Sequence, residues 1–170
     1  SHSIDRRRQE EFALRSHQKS AYAQNSGLFD DELVEISDTG ASISIDGCIR
    51  ADTTLEMMAS LSPAFLADGS VTAATSSPLT DGAAFTLVCS EEYAESRGIH
   101  PLARILSTSV AGVPPEVMGI GPVPASKKAL DRAGIKMDEV DIIELNEAFS
   151  AQSLACMKDM GLNMDDSRIN

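Results

Sequence analysis

The chain has 170 residues and a net charge of −12, with a pI near 4.5 and a mean hydropathy of −0.09. That length suits one ordinary domain or two small ones, and a 42% hydrophobic content supports a folded core and excludes a disordered polymer. The 14 Lys and Arg are spread along an acidic chain, which excludes a basic face for nucleic acid, and no apolar run is long enough to cross a membrane.

Aromatic residues are 4% of the chain and Trp is absent, so the core must be built from Ala, Leu, Ile, Val and Met. Cys48, Cys89 and Cys156 are odd in number and lack metal-site spacing. Neither a disulfide framework nor a metal centre is expected, and a reducing, cytoplasmic setting is.

In chain order, Ile4–Ser26 is expected to form one long polar helix with Asp5 as N-cap and Gly27 as its stop. Arg6, Arg7 and Arg8 in its first turn oppose the helix dipole, so Glu10 and Glu11 or another segment must offset them. Two short strands follow, Leu33–Ile36 and Ser42–Ile45, joined by Asp38-Thr39-Gly40. A short helix is expected at Thr54–Leu61, stopped by Pro63. Val71–Ala74 and Ala83–Val88 are strand-like, and Glu91–Arg97 is a helix ended by Gly98. Leu102–Val110 is a β-branched run with strand character, and Gly112–Pro124 is a loop with three Gly and four Pro. Ala125–Ala133 is a helix, Asp141–Leu145 a buried strand, and Glu147–Met160 a helix closed by Gly161. This alternation of strand and helix makes the second half α/β.

Three motifs carry chemistry. Asn146-Glu147-Ala148-Phe149 stands where an apolar strand ends and a helix begins, which is where α/β sheets gather ligands. Asn there is equally a good N-cap, so its local reading stays open between cap and functional amide. The run Val71–Ala84, with Thr75, Ser76 and Ser77 at its centre, is small enough for a ligand or chain to approach closely, or is a tight turn. Gly119-Ile120-Gly121-Pro122-Val123-Pro124 invites a phosphate-loop reading, but its prolines remove the N–H donors a phosphate needs. A rigid loop carrying Met118 toward a pocket is the better reading.

In this order and spacing the three motifs resemble the thiolase family. The opening helix Ile4-Asp5-Arg6-Arg7-Arg8-Gln9-Glu10-Glu11-Phe12-Ala13-Leu14-Arg15-Ser16-His17 looks like the start of that family's long middle segment. The resemblance runs from Ile4 to Asn170. It implies a partial thiolase-like α/β fold, with residues 1–66 as loop-domain material, 67–100 as the end of the N-terminal half and 101–170 as the start of the C-terminal half.

It further implies a segment of a 3-ketoacyl-CoA thiolase, of the fatty-acid-degrading (β-oxidation) type rather than the biosynthetic one. CoA and acyl-CoA would be substrates, with no permanently bound cofactor or metal, and the full-length enzyme a homo-oligomer. Asn146 matches the asparagine that orients a water in an oxyanion hole. Phe65, Ala73 and Ser77 match positions lining the pantetheine channel, and Arg50 one near the nucleotide. Met118, Ala148 and Phe149 match positions lining the reactive pocket. Met57 departs from relatives that carry a polar residue near the nucleotide.

The family's nucleophilic cysteine lies in an upstream glycine-rich turn, and its Gly-His-Pro and C-x-G-x-G segments lie downstream. None of Cys48, Cys89 and Cys156 has the nucleophile's context, and His17 and His100 look like ordinary helix and turn residues. These 170 residues alone are therefore expected not to turn over, and to expose a face that needs a partner. The alternative expectation is a noncatalytic CoA- or acyl-CoA-binding or interaction module.

Overall fold

A computed structural model describes residues 2–38 and 40–170; the Thr39 position of the expected turn lies outside the described residues. In chain order the elements are α1 (Arg6–Asn25), β1 (Ile36–Asp38), β2 (Ala41–Ile43), α2 (Leu55–Ala59), α3 (Glu91–Arg97), α4 (Pro122–Ala133) and α5 (Ser150–Asp159). Short 3₁₀ turns lie at Ala73–Thr75, Pro115–Ile120 and Met137–Glu139. The chain divides into one unit formed by Ser1–Pro78 with Ile142–Asn170, and another formed by Leu79–Asp141.

The first unit is organised by α1. Asp5 caps it by accepting from the Arg8 N–H at 2.8 Å, as expected. The helix is polar yet heavily contacted, because it presents two stripes. Phe12, Arg15, Ser16 and Lys19 follow the i, i+3, i+4, i+7 spacing of one face and meet the distant C-terminal part of the chain. Phe12 joins Leu154, Met157 and Ile169 in the buried cluster, with Ile4, Ile143, Leu145, Leu162 and Met164 packed around it. Arg15 pairs with Asp165 at 2.8 Å and also donates to the Met164 carbonyl, while Lys19 donates to the Ile169 carbonyl at 2.7 Å.

The second stripe, Arg6, Gln9, Glu10, Ala13 and His17, lies about a third of a turn further round. Gln9 donates to the Ile4 carbonyl and to Ser70 Oγ. Arg6 pairs with the nearly fully buried carboxylate of Glu10 at 2.7 Å and donates to the carbonyls of Met58, Ala59 and Leu61 at 2.9, 3.1 and 2.7 Å. It thus caps the C-terminal end of α2, whose N-terminus is capped by Thr54. Arg7 pairs with Glu11 at 2.9 Å. The first-turn arginines are therefore offset by Glu10, Glu11 and the carbonyls beyond α2.

Several boundaries differ from expectation for local reasons. The hairpin forms, but as Ile36–Asp38 against Ala41–Ile43 in antiparallel register. The turn after α1 extends to Leu33, whose N–H donates to the Phe29 carbonyl at 3.1 Å, so the first strand starts later. Val71–Ala74 is not a strand. Thr75 Oγ1 accepts from the Thr72 N–H and donates back to the Thr72 carbonyl, and Ser76 Oγ binds the same carbonyl. These side-chain bonds close a turn in place of a ladder. Asp141–Leu145 is reduced to a parallel bridge between Ile143 and Ile169.

In the second unit α3 matches expectation, with Ser90 as N-cap and Gly98 in the left-handed region. The segment 112–124 is not all loop: it forms a 3₁₀ turn, and α4 begins at Pro122. Prolines at the first and third helical positions cost little, because those N–H groups have no intrahelical acceptor. Ala83–Val88 and Leu102–Val110 join no ladder among the described residues, and Phe85 and Leu102 are fully exposed. The second segment nevertheless keeps a strand's alternation. Ser107 and Ser109 are half-buried and donate to the Ala129 and Ala125 carbonyls at 2.7 and 2.5 Å, while Thr108 and Val110 are exposed. Two residues along a strand span about 6.6 Å and four along a helix about 6 Å, so two hydroxyls match one helix face in antiparallel sense.

Two outcomes follow from the first unit. Arg6→Ala leaves the Glu10 carboxylate buried without its partner and should lower stability by about 3 kcal/mol, read as a lower urea midpoint; an unchanged midpoint would contradict the role given to Arg6. Near the C-terminus, the Arg168 side chain and backbone N–H bind Asp166 and hold its pKa down to about 2. Since the folded value lies below the unfolded one of about 3.9, this pair stabilises the fold fully above that value. The stabilisation is lost as pH falls through about 2. Carboxyl-carbon NMR should put the Asp166 midpoint near 2; a midpoint in the ordinary range would refute the pairing.

Candidate active site

Of the residues singled out in the first unit, Phe65, Ser77, Ala148 and Phe149 gather with Asn146 around the segment between Leu145 and Ser150. The segment enters from the bridged strand remnant, where the Ile143 N–H donates to the Arg168 carbonyl at 2.8 Å and the Leu145 N–H to the Asn170 carbonyl at 3.4 Å. It leaves into α5, which starts at Ser150, three residues later than expected. The delay has a tertiary cause. Phe149 pairs with Ser76 in an antiparallel bridge, and the Ala148 carbonyl accepts the Ser77 N–H at 3.0 Å. These contacts hold Phe149 at φ −147°, ψ 138°, so it occupies the N-cap position and contributes no capping side chain.

Asn146 is therefore not the helix cap, so the cap reading of its local sequence is not met. It is exposed, and its side chain makes no hydrogen bond among the described residues. Its own carbonyl receives a long 3.5 Å contact from Ser153 Oγ, on the first turns of α5, where Ser153 is completely buried. The neighbouring Glu147 carboxylate accepts from Ser16 Oγ at 2.6 Å. The arrangement presents one neutral amide, with donor and acceptor both unspent, on a backbone held on both sides.

Phe65, Ser77, Ala148 and Phe149 stand together here. The Phe65 and Phe149 rings meet edge to face with centroids 6.1 Å apart, although Phe65 is 71% exposed. Ala73 lies on the 3₁₀ turn that precedes Ser77 and is exposed. Arg50 is exposed too, and its backbone N–H donates to His17 Nδ1 at 3.2 Å. Met57 is half-exposed on α2. Met118 belongs to the second unit, on the 3₁₀ turn at Pro115–Ile120, and is 74% exposed. No group of three His, Cys, Asp or Glu among the described residues could hold a metal ion.

Sequence reasoning missed Ser16 and His17. Both read as ordinary helix residues, and each gains its role from a partner 131 or 33 residues away. No local pattern announces such contacts.

The Thiolase, N-terminal domain family matches residues 1–92, and the Thiolase, C-terminal domain family matches residues 99–170. The chain belongs to the thiolase family. This thiolase chain is 48% identical to a 3-ketoacyl-CoA thiolase of Aliivibrio fischeri, over 99% of its own length and 46% of the relative's. It is 49% identical to the 3-ketoacyl-CoA thiolase of Shewanella loihica, with the same coverage. A crystal structure of the Bacillus anthracis acetyl-CoA acetyltransferase superposes with a TM-score of 0.91 at 45% identity, covering 98% of this chain and 43% of the other. The thiolase chain thus spans about half the length of the curated relatives it matches, and the expected partial thiolase-like α/β fold is borne out.

The three thiols of the thiolase chain differ sharply. Cys156 is completely buried on α5. Burial pushes its thiol pKa up, with Asp159 adding to the rise and a hydrogen bond from Gln152 opposing it; both burial and the raised pKa disfavour a thiolate nucleophile. Cys89 is exposed and Cys48 half-buried. Alkylation of the folded chain with iodoacetamide near neutral pH should modify Cys89 first and leave Cys156 protected until denaturant is added. Peptide mass spectrometry checks this, and early labelling of Cys156 would contradict its burial.

Proposed function

We propose that the chain is a segment of a 3-ketoacyl-CoA thiolase that moves an acyl group between an enzyme cysteine and CoA. In the cleavage direction a cysteine thiolate attacks the C3 carbonyl and the C2–C3 bond breaks. Acetyl-CoA leaves as its enolate and is protonated. CoA thiolate then attacks the acyl-cysteine thioester, releasing the shortened acyl-CoA and restoring the cysteine thiolate. The reverse is a Claisen condensation.

Within that sequence this segment contributes Asn146. Its amide orients a water that, with a histidine from elsewhere in the enzyme, stabilises the enolate oxygen. A neutral dipole suits this work, because it favours developing charge without adding a fixed charge that would trap the substrate. The observation that carries the reading is the Asn146 side chain itself, exposed and unbonded on a backbone that Ser77, Ser76 and Ser153 hold in place.

Phe65, Ala73 and Ser77 are assigned to the pantetheine channel of the CoA thioester, Met118, Ala148 and Phe149 to the lining of the reactive pocket, and Arg50 to the nucleotide end, where a guanidinium suits phosphate or adenine. The division into residues 1–66, 67–100 and 101–170 is proposed with it; the family boundaries at 92 and 99 support the second break. The names of the relatives favour a 3-ketoacyl-CoA substrate; a degradative, β-oxidation role in a cytoplasmic homo-oligomer is proposed with it. The segment alone is expected to be inactive, since Cys156 is buried and no thiol of Cys48 or Cys89 is hydrogen-bonded among the described residues.

Asn146→Ala in the complete enzyme should lower kcat for thiolysis about 100-fold with little change in CoA affinity. Steady-state kinetics on matched short and long 3-ketoacyl-CoA substrates, with calorimetry for CoA, checks this. Unchanged turnover would overturn the oxyanion role and favour a CoA-binding module without catalysis.

A further inference from the structure

We propose that Ser16 on α1 and Glu147 act as positioning residues that hold the Asn146 amide in its working orientation; this rests on the oxyanion reading of Asn146. Ser16 lies mid-helix, where a serine hydroxyl usually turns back to the carbonyl one turn earlier. Here it donates instead to Glu147 Oε2 at 2.6 Å, the short distance of a charge-assisted O–H···O⁻ bond. Glu147 is half-buried and directly follows Asn146, so this bond tethers the residue that shares a peptide with Asn146.

The other restraints on this segment are different in kind. Ser77 and Ser76 hold Ala148 and Phe149 through the backbone, and Ser153 reaches the Asn146 carbonyl only at 3.5 Å. Ser16–Glu147 is the short side-chain to side-chain restraint beside Asn146, and it comes from a helix anchored by Phe12 in the buried cluster. Without it, the hydrogen bonds left on this stretch are the long Ser153 contact to Asn146 itself and the backbone bonds at Leu145 and Ala148 on either side. Small displacements of a catalytic group are costly because reactivity depends steeply on alignment.

The test is a variant series in the complete enzyme, read by kinetics, thermal unfolding and crystallography. Ser16→Ala should lower kcat about tenfold with the KM for CoA unchanged and the unfolding midpoint close to that of the parent. Ser16→Thr, which keeps the hydroxyl, should restore most of kcat, and Ser16→Ala combined with Glu147→Ala should be no worse than either alone. The crystal structure of the Ser16→Ala protein should show the Asn146 amide displaced or in more than one rotamer. Additive losses, or an Asn146 side chain unmoved in that crystal structure, would overturn the proposal. If Asn146→Ala keeps full turnover while Ser16→Ala still displaces the amide, the oxyanion reading fails and the positioning stands. If Asn146→Ala is crippled while Ser16→Ala is not, the positioning fails alone.

Discussion

Phe12 reaches from α1 into contact with Leu154 and Met157 of α5 and with Ile169 near the C-terminus, and the placement of the candidate site follows from that contact. Burying four such side chains supplies the apolar driving force, while the polar residues one and two turns away on the same helix set the register. Arg15, Ser16 and Lys19 each find a partner on the C-terminal part only because Phe12 has brought the surfaces together. A slip of one helical turn would unmatch all three. The apolar contact thus supplies the adhesion, and the hydrogen bonds around it supply the alignment.

The same helix also serves the opposite need on its other stripe. Arg6 ends α2 by binding its last two carbonyls and that of Leu61 just beyond it, and His17 holds the backbone at Arg50. One element therefore sets both the segment that carries the amide and the segment proposed to meet the nucleotide. The helix is polar along much of its length because it uses polar groups on both sides. Its weak amphipathic pattern reflects two neighbours rather than none.

Helices with local stop signals were legible from sequence. Asp5 and Gly98 act within one turn of their own positions, so the start of α1 and the end of α3 lie where their residues place them. Asn146 was singled out by its motif, but its surroundings were not legible. The helix that its position invites begins at Ser150, because Ser76 and Ser77 hold Ala148 and Phe149 in strand geometry. The error at Val71–Ala74 has a local origin instead, since Thr75 and Ser76 hydroxyls close a turn that β-propensity does not foresee. Ala83–Val88 and Leu102–Val110 show the limit from the other side. Strand character is visible in their residues, yet a ladder needs a neighbour, and none pairs with them among the described residues.

The pegs that Ser107 and Ser109 drive into α4 have a consequence for the order in which the chain acquires structure. They close loops of 22 and 16 residues, whereas Ser16 and Glu147 close one of 131. Loop-closure entropy grows with the logarithm of length, so the longer closure costs about 2 kcal/mol more at the moment of first contact. The inner unit can form while the ends of the chain are still searching. The outer unit must wait for its second half, residues 142–170, and with it the amide site is assembled last.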